Sequence, residues 1–145
     1  MKPTTQVLHR GLQPDTEVLD FASRVLGALE VREDLSRAHS RNKVMALETR
    51  GGDQLVAKWF TENSSYFRCL DALTAHTPPL GSSAPKLIDH NESLKAILMT
   101  RLPGRIVSSE ESLDPVVHFR LGELLRIFHE SSHPTRSTNT HKDLA

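Results

Sequence analysis

Residues 43 to 60 read as two strand-forming runs around a glycine pair. Lys43-Val44-Met45-Ala46-Leu47-Glu48-Thr49 and Asp53-Gln54-Leu55-Val56-Ala57-Lys58-Trp59-Phe60 flank Arg50-Gly51-Gly52. Such a pattern predicts a β-hairpin. Side chains alternate along a strand, so Val56, Lys58 and Phe60 share one face of the second run. The hairpin needs other elements to cover its apolar surface, and the flanking sequence supplies them.

Before it, Asp15 to Leu29 repeats apolar residues at helical spacing. Val18, Ala22, Val25 and Leu29 form the stripe, with Leu19 and Leu26 widening it. Asp15 after Pro14 is placed to cap that helix. Val31 to Leu35 suits a short strand, followed by the polar stretch Ser36 to Asn42. After the hairpin, Ser64 to His76 reads as a helix with Phe67, Leu70 and Leu73 along one side. Thr77 to Pro85 is a breaker segment. Lys86-Leu87-Ile88-Asp89 and Leu94 to Thr100 look like another strand pair, turning through His90-Asn91-Glu92.

Leu102-Pro103-Gly104-Arg105 ends that strand. A last helix starts at Asp114-Pro115, aspartate as cap and proline in the first turn. Its stripe is Val117, Leu121, Leu124, Leu125 and Phe128, and the pattern stops after His129. Ser131 to Lys142 is polar and reads as loop or disordered tail. The expected fold is α+β, an antiparallel β-sheet with flanking helices. The segments divide into an N-terminal arm (1–14), a sheet-bearing lobe (15–104), a linker with one helix (105–131) and a polar tail (132–145).

The chain has 145 residues, 37% hydrophobic and 25% charged, which fits one globular domain. Eighteen basic residues balance eighteen acidic ones, so no net field favours nucleic acid or a membrane surface. The longest apolar runs, such as Ala96-Ile97-Leu98-Met99, are too short to span a bilayer. Cys69 is the only cysteine and the first residues carry no secretory pattern, so a cytoplasmic location is expected. Among the eight histidines, His118 and His129 are eleven residues apart and His133 and His141 lie in the polar tail. Neither spacing suits a zinc site.

Three features bear on nucleotide chemistry. Lys58, held on an apolar strand, suits a point-charge clamp on phosphates; the same lysine also suits an edge strand, snorkelling to solvent. The Ser36–Asn42 loop offers hydroxyls, amides, Arg37 and Arg41 to phosphates, yet it contains no glycine and equally fits an ordinary polar turn. Ile97 to Gly104 is an apolar strand ending in a Pro-Gly break. It is either a hinge presenting backbone groups to a base, or a core strand and its turn.

Taken together, these segments resemble the N-terminal lobe of the aminoglycoside phosphotransferase and choline kinase family, which has the protein-kinase-like fold. Asn42-Lys43-Val44, the Gly-Gly turn and Leu55-Val56-Ala57-Lys58 are similar to that family's Asn-x-Val … Val-x-Lys hairpin. Ala84-Pro85-Lys86-Leu87-Ile88 resembles its Pro-x-Leu/Ile lead-in to the fourth strand. Leu98-Met99-Thr100-Arg101-Leu102-Pro103-Gly104 resembles its Leu-Met-x-x-Leu-Pro-Gly hinge. Leu121-Gly122-Glu123-Leu124-Leu125 with Phe128-His129 resembles its Leu-Gly-x-x-Leu … Leu-His helix.

The resemblance implies an ATP-dependent, Mg2+-assisted phosphotransferase acting on a small-molecule hydroxyl. Lys58 would contact the phosphates, Ser40 and Asn42 would lie in the loop above them, and Met99, Thr100, Arg101 and Leu102 would line the adenine pocket. The family pairs this lysine with a glutamate on the next helix. Tyr66 stands at that position here, which leaves Glu62, about one turn earlier, as the candidate partner. His141-Lys142-Asp143 resembles the start of the family's catalytic loop and makes Asp143 the candidate base. No residues follow it to supply the later metal-binding Asn and Asp. The expectation is thus a kinase-like lobe whose C-terminal partner lobe is largely missing, and which transfers little phosphate by itself. The alternative is a non-catalytic interaction module that binds a protein partner or a second copy through the 115–129 helix.

Overall fold

The computed structural model describes residues 12–104 and 107–132. It is an α+β fold built on a five-stranded sheet, with strands β1 (Leu29–Asp34), β2 (Lys43–Thr49), β3 (Gln54–Trp59), β4 (Leu87–Asn91) and β5 (Ala96–Thr100). Their order is β1-β2-β3-β5-β4, and every neighbouring pair is antiparallel. The helices are α1 (Asp15–Leu26), α2 (Asn63–Asp71) and α3 (Pro115–Ser132). Among the described residues, no helix is long and apolar enough to cross a membrane.

Alternation along β3 divides the core. Leu55, Ala57 and Trp59 face α1, where Val18, Phe21 and Ala22 pack with Met45, Leu47, Ala96 and Leu98. Val56 and Phe60 face α2, where Tyr66 and Leu73 pack with Ile97 and Met99. The Trp59 indole is fully buried, and its Nε1–H donates to the Gln13 carbonyl at 3.0 Å, fastening the start of α1 to the sheet.

Several expected boundaries move, each for a local reason. Helix α1 stops at Leu26 rather than Leu29, because Gly27 takes φ +84° and its amide closes the last turn on the Ser23 carbonyl. Leu29 is thereby released to open β1, two residues before the expected start at Val31. Pro14, not Asp15, holds the N-cap position, and Asp15 instead pairs with Lys43 at 3.3 Å. Phe21, absent from the expected stripe, is buried, whereas Val25 is exposed.

In helix α2 and the turn after it, Leu70 and Leu73 face the sheet as expected, but Phe67 does not. Tyr66, Cys69, Leu70 and Leu73 face the sheet, while Phe67 is 44% exposed. A widened π turn, Ala72–His76, follows α2, and a 3-10 segment, Pro78–Ser83, fills the breaker region. The β4–β5 turn also falls later than expected, at Glu92–Lys95 instead of His90–Glu92. Asn91 Oδ1 accepts from the Leu94 amide at 3.1 Å, and Lys95 takes φ +54°.

The β2–β3 hairpin turns at Arg50-Gly51-Gly52 as expected, with Gly52 at φ +93° and its amide on the Thr49 carbonyl at 3.0 Å. Asp114 caps α3 by accepting from the Val116 amide at 2.9 Å, again as expected. The helix runs three residues past His129.

Candidate functional site

Lys58 sits on β3 between Val44 of β2 and Ile97 of β5, and β3 is the central strand with two strands on each side. An interior strand rules out the edge-strand explanation for a lysine here. Its side chain is half-buried on the α2 face, with Nζ 5.3 Å from the centroid of the Phe60 ring. Ring quadrupole and ammonium attract at that distance. Its positive charge also reaches Cys69 on α2. Burial pushes the Cys69 thiol above its ordinary pKa, and the Lys58 charge opposes that shift.

The expected carboxylate partner is elsewhere. Glu62 stands at the N-cap position of α2, and its side chain pairs with Arg41 at 3.4 Å. The structure does not bring Glu62 and Lys58 together, because the loop before β2 supplies a closer cation. Tyr66 occupies the inward position on α2, fully buried, with its hydroxyl 2.9 Å from His90 Nδ1.

The β1–β2 loop is tied at both ends. Ser36 Oγ accepts from the Val44 amide at 2.9 Å, and the Ser36 amide donates to Asp34 at 2.9 Å. The Ser36 hydroxyl and amide, followed by Lys43, hold the Asp34 carboxyl below its ordinary value. At the other end Ser40 Oγ accepts from the Asn42 amide at 3.1 Å, and Asn42 Oδ1 accepts from the Thr61 amide at 3.4 Å. Asn42 therefore lies two residues beyond the Val44–Lys58 rung and braces the loop against the β3–α2 connection. Ser40, Asn42 and Lys58 gather at one end of the sheet.

The hinge residues split between the two faces. Met99, opposite Val56, shares the face of Lys58 and lies two rungs away, about 7 Å along the strand. Thr100 belongs to the α1 face. Its amide donates to the Lys86 carbonyl at 3.0 Å, and the Lys86 amide donates to Thr100 Oγ1 at 2.9 Å. The Arg101 amide extends the ladder to the Gln54 carbonyl at 3.1 Å. Leu102 is the first hinge residue past these bonds and is exposed. Register therefore places Lys58, Asn42 and Met99 on one face of the sheet and Thr100 on the other.

Two relationships escaped sequence reasoning. The Arg101 guanidinium pairs with Glu33 of β1 at 3.5 Å, and both residues fall on the Lys58 face by register, on either side of Ala46 and Val56. Cys69 beside Lys58 was equally hidden, although the i, i+3 spacing from Tyr66 carried it once Tyr66 is known to face the sheet. Asp143, the candidate base, lies outside the described residues. Among the described residues no group of three or more His, Cys, Asp or Glu side chains can hold a metal ion. Compared with known proteins, the chain matches no family model and no curated protein.

Proposed function

We propose that this chain provides the nucleotide-binding lobe of an ATP-dependent phosphotransferase acting on a small-molecule hydroxyl, similar to the N-terminal lobe of aminoglycoside phosphotransferases and choline kinases. The observation that carries this reading is Lys58 on an interior strand, with Met99 and the braced end of the β1–β2 loop on its face. An ammonium held there suits a triphosphate. Phosphoryl transfer further requires Mg2+ ligands and a base. For the described residues the reading is nucleotide binding.

The test is thermal denaturation with Mg-ATP. A ligand at one hundred times its Kd stabilises the fold by about 2.7 kcal/mol, and Lys58→Ala should remove that gain. No shift with the wild type, or the same shift in the variant, refutes the reading.

A second reading has its own support. Val116, Phe119, Leu121 and Leu125 on α3 are 71%, 68%, 53% and 47% exposed, an apolar surface of the kind that binds protein. An interaction module would bind through α3 and ignore Mg-ATP.

A further inference from the structure

A cavity among the described residues lies away from Lys58. It opens on the opposite face of the sheet, between the end of α1, the β2–β3 turn and β4, and has a volume of about 750 Å³. That size is within the range of small-molecule sites, roughly 300–1,000 Å³. Part of its lining is apolar: Leu55 is buried, and Ile88 packs against the α1-side core, while Thr49 and Thr100 add hydroxyls. Val25 adds an apolar wall.

The walls are tied in place. The Arg50 amide donates to the Ala28 carbonyl at 3.2 Å, which joins the hairpin turn to the chain after α1. Within the turn, the Thr49 amide donates to the Asp53 carbonyl at 3.0 Å, and the Asp53 amide donates to Thr49 Oγ1 at 3.1 Å. A ligand would enter a shape that already exists, so little ordering cost opposes it.

Charge sets the ligand class. Arg50 and Asp53 both line the cavity, and among the described residues neither side chain forms an ion pair, with the other or with a third group. One cation and one anion therefore stand unpaired beside a lining that is partly apolar. A purely anionic ligand would leave Asp53 as a like charge at its side, and a purely cationic one would meet Arg50. A zwitterion with an apolar body satisfies both, its carboxylate on the Arg50 guanidinium and its ammonium on the Asp53 carboxylate.

We propose that this cavity is a binding site for a small apolar zwitterion of the amino-acid class, separate from the Lys58 face. Leu55 and Thr100 of the cavity alternate with Val56 and Met99 of the other face along the same two strands, so the sites share a sheet without sharing side chains.

The experiment is a titration of the full chain followed by amide chemical shifts, with phenylalanine, phenylpropanoate and phenethylamine as probes. Saturable shifts around residues 49–55 and Ile88 are expected with phenylalanine. Either analogue should bind at least about tenfold more weakly, since each lacks one charge-assisted bond. Arg50→Gln and Asp53→Asn should each weaken phenylalanine to the level of the corresponding analogue. Both positions are exposed turn residues, and the same spectra report whether the variants stay folded. Lys58→Ala should leave the titration unchanged. Absence of saturable shifts, equal binding of all three probes, or loss of binding in Lys58→Ala overturns the proposal.

Discussion

The Tyr66 hydroxyl meets His90 Nδ1 at 2.9 Å, joining the buried face of α2 to β4. Tyr66 also packs edge-on against Phe60, with ring centroids 6.5 Å apart, so it links helix, sheet and the residue over which Lys58 sits. Tyr66→Phe keeps the ring and removes the hydrogen bond. Urea denaturation should show a loss of about 1 kcal/mol. Tyr66 is the chain's only tyrosine, so tyrosinate absorbance reports it without interference. Burial, and then the charges of Glu92 and Asp89, raise its pKa above 10.0. The folded state thus holds its proton after the unfolded state has begun to release it. Stability from this group is intact below pH 10 and declines as pH rises through the folded pKa. A tyrosinate transition at or below pH 10 in the folded protein contradicts the burial described.

Lys58 and Cys69 provide a second readout. The lysine's charge favours the thiolate that burial disfavours. Lys58→Met should therefore move the Cys69 thiol pKa further up. The pH dependence of its reaction with a chromogenic disulfide measures this directly, as Cys69 is the single cysteine. An unchanged profile means that the Lys58 ammonium is turned away from α2.

The Arg101–Glu33 pair tests the nucleotide reading from a different side. Both side chains are substantially exposed, so breaking the pair should cost no more than about 1 kcal/mol. Because the pair flanks Ala46 and Val56, Glu33→Gln should free the guanidinium and uncover them. Mg-ATP affinity, measured by calorimetry, should then rise a few-fold. A fall in affinity would show that the pair builds the pocket instead of covering it.

On α3, Leu121→Ser with Leu125→Ser should change stability by less than about 1 kcal/mol, both residues being exposed. If this surface mediates self-association, sedimentation should show the wild type dissociating on dilution and the variant already monomeric. Identical behaviour of the two proteins would remove the interaction reading for this surface.

The hairpin, the α+β class and the aspartate cap of α3 were legible because each rests on a local signal: a Gly-Gly turn, a change of period, a cap followed by proline. Boundaries failed where tertiary partners decided them. Asp15 gave up capping for Lys43, and Gly27 stopped α1 before Leu29. In α2 the expected Leu70 and Leu73 do face the sheet, but Tyr66 replaces Phe67, since Tyr66 gains both a buried ring site and a hydrogen bond that Phe67 has no group to make. For the candidate site, the sequence put Lys58, Asn42 and Met99 on the correct strands and loop. It did not reveal that Glu62 would answer Arg41, because that ion pair joins two connections whose approach depends on the whole sheet. Nor did it separate Thr100 from Met99, although strand alternation alone places them on opposite sides.

Strand β3 carries a tryptophan and a lysine at adjacent positions, one sealed under α1 and the other beside α2. Sliding that strand by a single residue against its neighbours would drive the ammonium into the hydrocarbon interior and put the indole where the ammonium had been. Few misalignments in a small sheet carry so heavy a penalty, because an unpaired buried charge is among the costliest defects a core can hold. The same pair of side chains that divides the sheet into two territories therefore also proofreads its assembly.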